Sequence, residues 1–541
     1  MAASINYSDW SSAIGKKLPI PGIEEVIETH LSLVVLARER VYKFKKPLLL
    51  SFVDYSSFRK RWISATQEVL LNRRLTKDVY YGIRAVSYVS GKWKWVGELY
   101  EEPSIENIPK HHPNDNVAVV MRRLDSRDFL NELLKQGSVD FNEHLKPLVK
   151  VIAEFHTTGS LREIEPDKYQ LSLEENLEDN IKALDDLNSL PNFSHLIKRA
   201  TRFYRQNYPK LRRLIYQRAK EGWVVEGHGD LRLEHVCYDR TFTPPFIQIF
   251  DCVEFNSKIR QSDACCEIAF LLMELEANYR TDLAKAVEQE YLCRMQDKDF
   301  EKILPLFKHY RALVRAKVNY FRASQLPTTS KEHSACLVQV KKLLSLASRY
   351  AFAKIDPLII IVCGLMGTGK STLANLLSEH LYAIHLNSDL TRKEIFQDLE
   401  AEDSSEAPYQ QGIYSLEATD ATYRAIVHQA SIYLGYGNPV ILDATFSKHS
   451  HRRLALELAH SKKVPLYIVE CLLNRDETLN RLAVRSAQGQ SISDGRPELY
   501  DNQVASWEKI DDSEGDDLLR IDMSTAPEVS CQKILAEFFI G

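Results

Sequence analysis

One short segment near residue 364 strongly restricts how this chain of 541 residues can fold. Residues 364–371 read Gly-Leu-Met-Gly-Thr-Gly-Lys-Ser and match the pattern GxxxxGK[ST]. An apolar run at 358–363 precedes the segment, and residues with helical periodicity at 372–381 follow it. Glycines between a strand and a helix let backbone N–H groups surround phosphate groups, and the helix N-terminus adds a partial positive charge. The segment therefore predicts a phosphate-binding loop.

The predicted loop assigns separate tasks to its residues. Lys370 is expected to reach the β- and γ-phosphates of ATP, and the hydroxyl of Ser371 to ligate Mg²⁺. Asp443 ends the apolar run 440–443, where it would complete the metal shell or, alternatively, only cap a strand end. The predicted ATP-binding residues of the loop are Gly364, Leu365, Met366, Gly367, Thr368, Gly369, Lys370, Ser371 and Thr372.

Three further side chains are candidates for chemistry at this loop. Asp389 follows the run 384–387 and would bind or deprotonate an acceptor hydroxyl. Arg481 and Arg485 lie one helical turn apart and would offset charge on a transferring phosphate. An exposed basic helix face explains either arginine equally well. Strand candidates at 358–363, 384–387, 440–443, 466–471 and 518–521 alternate with segments of helical period, which predicts a parallel sheet covered by helices on both faces.

A second group of charged residues lies in the N-terminal half. Asp230 is in a His-Gly-Asp run, His235 follows five positions later, and Asp251 ends a β-like segment. This order is typical of a kinase-like site in which Asp230 accepts a proton and His235 and Asp251 hold metal. Lys43 on an alternating run is the expected phosphate-binding cation, with Glu68 as its partner. A structural turn for Asp230 and an edge-strand lysine for Lys43 are the competing interpretations.

The C-terminal half resembles P-loop kinases of the gluconate kinase-like, shikimate kinase-like and zeta-toxin-like type. The resemblance covers about residues 357–541 and implies phosphorylation of a small hydroxylated molecule. Besides the loop, it rests on Ser388-Asp389-x-x-Arg392, Leu442-Asp443-Ala444-Thr445-Phe446, Arg481 with Arg485, and Ser493-Asp494.

Residues 28–350 resemble aminoglycoside phosphotransferase-like kinases. That resemblance rests on His228-Gly229-Asp230, Asp251, Asp263, Phe155-His156 and Met121-Arg122-Arg123-Leu124. Two features differ from the family: position 235 is His instead of Asn, and no glycine-rich loop precedes Lys43, where the turn is 37–40. The whole chain looks like bacterial two-domain proteins that join these two halves.

The resemblances imply an α/β multidomain fold. A bilobal, protein-kinase-like α+β domain is expected at 28–352, with its N-lobe reaching to about 120, and a P-loop α/β domain at 353–541. No assignment is made for 1–27. The sequence thus favours an ATP- and Mg²⁺-dependent phosphotransferase for hydroxyl groups of small molecules. A regulatory NTPase with a ligand-sensing pseudokinase half is the alternative. A third hypothesis, antibiotic modification or a toxin-like sugar-nucleotide kinase, rests on analogy alone.

The composition indicates which kinds of partner the chain is expected to bind. The formal charge of −4 favours neither nucleic acid nor a membrane surface, and no apolar run is long enough to span a bilayer. Nine scattered cysteines without paired spacing indicate free thiols, so we expect a cytoplasmic protein. The acceptor molecule and the oligomeric state are not readable from the sequence.

Overall fold

The computed structural model describes residues 18–50, 53–89, 92–112, 115–161, 164–189, 191–350, 356–396, 412–488 and 496–539. These residues form two compact units. The first contains the described residues up to Glu178, with Tyr208–Glu274 and Lys285–Arg311. The second contains Asp179–Asn207, Leu275–Ala284 and the described residues from Ala312 onward. The domain limit expected at 352/353 falls outside the described residues and stays a prediction.

Strands and helices alternate in blocks along the first 350 residues. The strands are β1 (Ile23–Glu28), β2 (Ser32–Ala37), β3 (Arg40–Lys45), β4 (Leu49–Leu50), β5 (Val53–Asp54), β6 (Tyr80–Val89), β7 (Lys92–Tyr100), β8 (Asn116–Arg122), β9 (Val224–Glu226), β10 (Val236–Asp239), β11 (Phe246–Ile249) and β12 (Gln261–Asp263). The helices are α1 (Phe58–Asn72), α2 (Leu130–Lys135), α3 (Lys146–Thr158), α4 (Pro166–Ala183), α5 (Pro191–Lys220), α6 (Ser257–Arg260), α7 (Ala264–Ala277), α8 (Thr281–Met295), α9 (Phe300–Ser324) and α10 (Lys331–Arg349). Single turns of 3-10 helix at Ser126–Asp128 and Leu233–His235, a longer one at Asp185–Ser189 and a π-helical turn at Phe141–Leu145 complete this part.

An antiparallel sheet with the order β1-β2-β3-β8-β6-β7 dominates the first unit. Strand β3 divides its side chains between two environments, because successive residues of a strand point to opposite faces. Tyr42 and Phe44 join one apolar cluster with Trp93, whereas α1 packs its Trp62 against the opposite face. Strands β9 and β12 form one two-stranded sheet, and β10 and β11 form another.

Sequence reasoning found only part of this sheet. It anticipated the cores of β2, β3, β6 and β8 and the helix α1. It did not anticipate β7, nor β1, which begins at Ile23 inside the segment left without assignment. Charged residues cause both omissions: β1 reads Ile-Glu-Glu-Val-Ile-Glu and β7 begins Lys-Trp-Lys-Trp, so apolar character alternates weakly.

The C-terminal sheet is parallel, as predicted. Its order is β14-β15-β13-β16-β17. The strands are β13 (Ile359–Cys363), β14 (Ile384–Asn387), β15 (Val440–Asp443), β16 (Leu466–Leu472) and β17 (Asp517–Asp522). The helices are α11 (Lys370–Leu381), α12 (Ser388–Ile395), α13 (Leu416–Gly435), α14 (His449–Lys462), α15 (Arg475–Gln488), α16 (Tyr500–Ala505) and α17 (Pro527–Phe539), with 3-10 turns at Gly412–Tyr414 and Pro497–Leu499.

Both faces of the parallel sheet are buried. Ile359 and Ile361 belong to the apolar cluster on one face, and Ile360 and Val362 to the cluster on the other. Each predicted strand is present with its ends within one residue of the expected positions. Continuous Val, Ile and Leu runs mark strands that are covered on both sides, which is why the pattern was readable.

Two further expectations have a structural counterpart. Among the described residues, none of the helices has the length and apolar character needed to cross a lipid bilayer. All nine cysteines are free, and only Cys293 is exposed. The cytoplasmic location stays a prediction.

Candidate functional site

The phosphate loop connects β13 to α11 at the carboxyl edge of the parallel sheet. Gly364 has a φ of 137°, and a Cβ at this position would lie 2.5 Å from the carbonyl oxygen of Cys471. Only glycine tolerates both this conformation and this close approach. The Lys370 Nζ donates a hydrogen bond of 2.8 Å to the Leu365 carbonyl oxygen, and the Thr368 hydroxyl donates one of 2.8 Å to the same atom. The Lys370 side chain therefore lies across the phosphate loop.

A cavity of about 360 Å³ opens beside this loop. The predicted residues of the C-terminal half line it, except Gly364, Leu365 and Thr368. Those on the wall are Met366, Gly367, Gly369, Lys370, Ser371, Thr372, Asp389, Asp443, Arg481 and Arg485. The carboxyl ends of parallel strands share one sheet edge, so residues separated by more than 100 positions in the chain meet in a single cleft.

Asp443 is held at the bottom of the cavity by polar neighbours. Its Oδ2 accepts a hydrogen bond of 2.6 Å from the Asn387 side chain and lies 3.1 Å from the His385 Nε2. The Asn387 amide is also 3.4 Å from the Ser371 hydroxyl. Burial raises the pKa of Asp443, but the hydrogen bond and charge of His385 outweigh burial and lower that pKa below its ordinary value. The carboxylate is thus ionised and ready for a cation.

The ligand types at Asp443 fit Mg²⁺. A carboxylate and a hydroxyl are hard oxygen donors, which Mg²⁺ prefers, and it usually keeps water and substrate phosphates as further ligands. Over the described ranges, no group of three or more His, Cys, Asp or Glu side chains is arranged to hold a metal ion. A metal ion bound by Ser371 and Asp443 would therefore take its remaining ligands from a nucleotide and from water.

Asp389 lies on the first turn of α12 and lines the same cavity as the phosphate loop. The Asn387 side chain begins this helix by accepting hydrogen bonds from the Asp389 and Leu390 amides, at 3.0 and 3.1 Å. The Asp389 carboxylate is 3.3 Å from the Arg392 guanidinium, which also lies 4.7 Å above the Tyr414 ring. A carboxylate and a buried cation are thus adjacent in the lining of the cavity.

The two predicted arginines of α15 differ in their surroundings. Arg481 donates to Glu477 at 2.6 Å and to the Met523 carbonyl at 3.0 Å, and its guanidinium is 3.7 Å from where a Cβ on Gly369 would lie. Arg485 lines the cavity one turn further along. Arg481 therefore reaches the phosphate loop itself.

Sequence reasoning missed two contributors to the cavity. Gln503 accepts a hydrogen bond of 2.6 Å from the Met366 amide, inside the phosphate loop. His451 stacks on Tyr423 with ring centroids 4.0 Å apart, and its Nε2 is 2.7 Å from Asp420. The position of His451 in the first turn after β15 was the available indication, because such turns face the carboxyl edge.

Ser493 and Asp494, which support the kinase resemblance, lie outside the described residues. Residues 397–411 and 489–495 carry no structural description.

The charged residues of the N-terminal half also meet in space. The Lys43 Nζ is 3.0 Å from Glu68 Oε1 and forms a second ion pair with Asp251. Burial lowers the pKa of Lys43, but the carboxylates of Asp251 and Glu68 outweigh it and raise that pKa well above its ordinary value. Lys43 is thus a permanent cation between two carboxylates.

Lys45 lies on the same face of β3 and is fully buried. It forms ion pairs with Glu68 and Glu254, and the Tyr55 hydroxyl donates a hydrogen bond of 2.7 Å to Glu254. Of the two lysines, Lys43 is the one paired with Asp251. Glu68 consequently joins both lysines, which the sequence did not reveal.

His235 lies between the two aspartates of this region. Its Nδ1 is 2.8 Å from the Asp230 carbonyl oxygen and 3.6 Å from the Asp230 carboxylate, and its Nε2 is 3.6 Å from Asp251 Oδ2. Asp251 has a φ of 65°, in the left-handed region that few non-glycine residues adopt. Burial raises the pKa of Asp251, but Lys43 and His235 outweigh it and hold that pKa well below its usual range.

A buried ion pair supports the loop that carries Asp230. The Glu267 carboxylate accepts hydrogen bonds from the His228 amide at 2.6 Å and from the Gly229 amide at 3.1 Å. The Arg311 guanidinium forms an ion pair of 3.1 Å with the Glu267 carboxylate. By contrast, the Asp263 carboxylate forms an ion pair of 2.7 Å with Arg218. Glu267 had no motif to reveal it, because its partners are backbone amides.

Comparison with known proteins gives a partial match. Residues 359–510 match the family model described as AAA domain. The C-terminal half therefore contains a P-loop domain of the AAA type. The match begins at β13 and includes the phosphate loop, Asp389, Asp443 and α15, so it covers most of the cavity described above.

The full-length relatives are uncharacterized proteins. One from Mycobacterium tuberculosis (strain ATCC 25618 / H37Rv), Rv2004c, is 28% identical over 463 residues, or 85% of this chain and 86% of that protein. One from Mycobacterium bovis, Mb2027c, matches to the same extent.

Solved structures resemble about a third of the chain. A sugar kinase from Janibacter sp. HTCC2649 is 15% identical, covers 33% of this chain and 93% of its own, and gives a TM-score of 0.27. A gluconokinase from Sinorhizobium meliloti 1021 is 18% identical, with 34% and 92% covered and a TM-score of 0.26. At such TM-scores, these two similarities carry no information about substrate or reaction here.

Proposed function

We propose that the C-terminal cavity transfers the γ-phosphate of ATP to a hydroxyl group of a small molecule. The observation that carries this proposal is the meeting of Lys370, Ser371, Asp443 and Asp389 in one cleft. A phosphate loop alone would serve any NTPase. A carboxylate that lines the same cavity as the loop is what a hydroxyl acceptor requires.

The residues would divide the reaction between them. ATP, bound with Mg²⁺, supplies the γ-phosphate and ADP as the leaving group. Lys370 and the loop amides hold the phosphates, and Ser371 with Asp443 would bind the metal ion. Asp389 takes the proton of the acceptor hydroxyl while the acceptor oxygen bonds to the γ-phosphorus and the bond from phosphorus to the bridging oxygen breaks. Arg481 neutralises charge that develops on the transferred group.

The residues around Asp389 indicate where the acceptor binds. Arg392 and His451 line the cavity together with Asp389. A polyol with several hydrogen-bonding groups would meet a cation, an imidazole and a carboxylate there.

Substitution of Asp389 tests this assignment. In Asp389→Asn we expect transfer to hydroxyl compounds to fall about 10²- to 10⁴-fold, the usual contribution of a general base. Binding of a non-hydrolysable ATP analogue should stay near the wild-type value, because Asp389 is not a loop residue. Phosphate esters formed from a panel of sugars and hydroxy acids would be followed by ³¹P NMR.

The matched control is Asp512→Asn, which removes a carboxylate that is 81% exposed on the surface of the same half. It should leave transfer unchanged. Undiminished transfer by Asp389→Asn would contradict the assignment of the acceptor side.

A second site in the N-terminal half is favoured by one observation, the contact of Lys43 with both Glu68 and Asp251. We propose that this group, with Asp230 and His235, forms a kinase-like nucleotide site. The connection between β1 and β2 is Thr29-His30-Leu31, so no glycine there can approach a phosphate. The alternative is therefore a ligand-sensing pseudokinase half that regulates a slow C-terminal NTPase.

A further inference from the structure

The tautomer of His235 follows from the loop that holds it. The His235 Nδ1 lies 2.8 Å from the Asp230 carbonyl oxygen, an atom that only accepts hydrogen bonds. Nδ1 must then carry the hydrogen. In the neutral ring, Nε2 is left with a lone pair, and this is the state in which histidine ligates metal ions. The backbone of Asp230 thus acts as the partner that orients a ligating imidazole.

The Nε2 atom of His235 lies near the Asp251 oxygen that is not paired with Lys43. Nε2 of His235 is 3.6 Å from Asp251 Oδ2, whereas the other Asp251 oxygen is taken by Lys43. Ligand bonds to nitrogen and oxygen are about 2.0–2.2 Å, so two ligands of one ion lie about 3–3.5 Å apart. A small adjustment would place both atoms on one cation.

Solvent exposure and the pairing of neighbouring side chains both favour His235 and Asp251 as the metal ligands. The His235 side chain is 10% exposed, but that of Asp251 is 41% exposed, so an ion can reach the pair from the Asp251 side. Glu234 also approaches Nε2, at 3.7 Å, but its Oε1 is held by Arg232. Two protein ligands therefore remain, and the other ligands would be water or nucleotide oxygens.

We propose that His235 and Asp251 bind a divalent first-row transition metal ion in preference to Mg²⁺. Imidazole nitrogen is a borderline donor that suits these ions, whereas Mg²⁺ selects oxygen donors and octahedral geometry. This proposal specifies the metal ion of the N-terminal nucleotide site proposed above and rests on the presence of that site. It also separates the two sites chemically, because Ser371 and Asp443 offer oxygen donors and fit Mg²⁺.

Mn²⁺ is the probe, because it is paramagnetic and reports the nuclei bound to it. Pulsed electron spin resonance would be recorded on the full chain with Mn²⁺ and a non-hydrolysable ATP analogue. The chain would carry Lys370→Ala, Ser371→Ala and Asp443→Ala to remove the C-terminal nucleotide and its ion, since His385 lies close to Asp443. We expect modulation from a directly bound ¹⁴N nucleus. Labelling histidine with ¹⁵N should replace that modulation without any further substitution.

Substitution then identifies the histidine. In the same background, His235→Asn should abolish the nitrogen modulation and weaken Mn²⁺ binding at least about tenfold, the scale on which ligand-site changes act. Mg²⁺ binding should change far less, because asparagine offers an oxygen. His428→Asn, at an exposed position on α13, is the control and should keep the modulation.

The outcomes separate the two proposals. Bound Mn²⁺ without nitrogen modulation would overturn the inference and leave the N-terminal nucleotide site standing. Failure of this background to bind either the ATP analogue or Mn²⁺ would overturn the N-terminal site, and the inference with it. Equal affinity for Mg²⁺ and Zn²⁺ in the presence of His235 would also contradict the preference, because imidazole suits Zn²⁺ better than Mg²⁺.

Discussion

At the scale of single residues, burial controls the protonation of His156. His156 is 1% exposed, its Nδ1 is 2.8 Å from the Tyr291 hydroxyl, and its Nε2 has no partner among the described residues. Burial lowers the pKa of His156 to about 3. A charged imidazole would leave water without gaining a counter-charge, so the folded chain keeps this ring neutral.

The depressed pKa makes stability depend on acidity. The unfolded chain takes up a proton at His156 near pH 6.5, whereas the folded chain does so only near pH 3. The unfolded state therefore binds more protons between these values, and the free energy of unfolding falls as the pH falls, by up to roughly 5 kcal/mol at 1.36 kcal/mol per pKa unit. The contribution is fully present above about pH 6.5.

His156→Phe tests this linkage because phenylalanine cannot take up a proton. We expect the drop in urea midpoint between pH 7 and pH 4.5 to be smaller in the variant than in the wild type. The variant should also lose about 1 kcal/mol at pH 7, since the hydrogen bond to Tyr291 is removed. A pH-induced drop as large as that of the wild type would show that His156 does not carry the effect.

At the scale of elements, the alternation of β3 places two lysines side by side. Lys43 and Lys45 share the face that meets α1, and Glu68 of that helix pairs with both. Lys45 is 1% exposed and contacts neither Asp230 nor Asp251 through an ion pair. Its task is to neutralise Glu68 and Glu254, which keeps α1 attached to the sheet.

Lys45→Met should therefore destabilise the fold. Loss of the lysine leaves the buried Glu254 without its cation and leaves Glu68 with Lys43 alone, and breaking a buried pair typically costs about 3–5 kcal/mol. Lys60→Met is the control, because Lys60 pairs with Asp54 at the surface and such pairs contribute about 0–1 kcal/mol. Urea unfolding followed by tryptophan fluorescence would measure both, and similar midpoints for the two variants would refute a structural role for Lys45.

The sequence was informative about elements to unequal degrees. Both ends of β13 and β15 could be predicted to within one residue, because parallel strands buried on two faces show uninterrupted apolar runs. The edge strands β1 and β7 could not, since charged residues break their alternation. The phosphate loop is a local motif and was readable. Gln503 reaches the cavity only through tertiary packing, which no short-range pattern encodes, whereas His451 could have been found from its place in the first helical turn after β15.

At the scale of the whole molecule, the chain carries two clusters of catalytic residue types, one in each compact unit. The C-terminal cluster has a phosphate loop, for which we propose Mg²⁺ bound by Ser371 and Asp443 and an acceptor bound beside Asp389. The N-terminal cluster has Lys43 paired with Glu68 and Asp251, and an imidazole where an oxygen ligand is usual for Mg²⁺. The central claim is that phosphate transfer depends on the C-terminal cluster.

ATP turnover by the purified chain with Mg²⁺ tests that claim most directly, comparing the wild type with Lys370→Ala and Asp230→Asn over a panel of metabolites. We expect Lys370→Ala to lower turnover at least about 100-fold, because a charge-assisted contact to the phosphates is lost at the reacting group. An additional, separate loss in Asp230→Asn would favour two working sites, and none would favour the regulatory alternative. Wild-type turnover by Lys370→Ala would contradict the account.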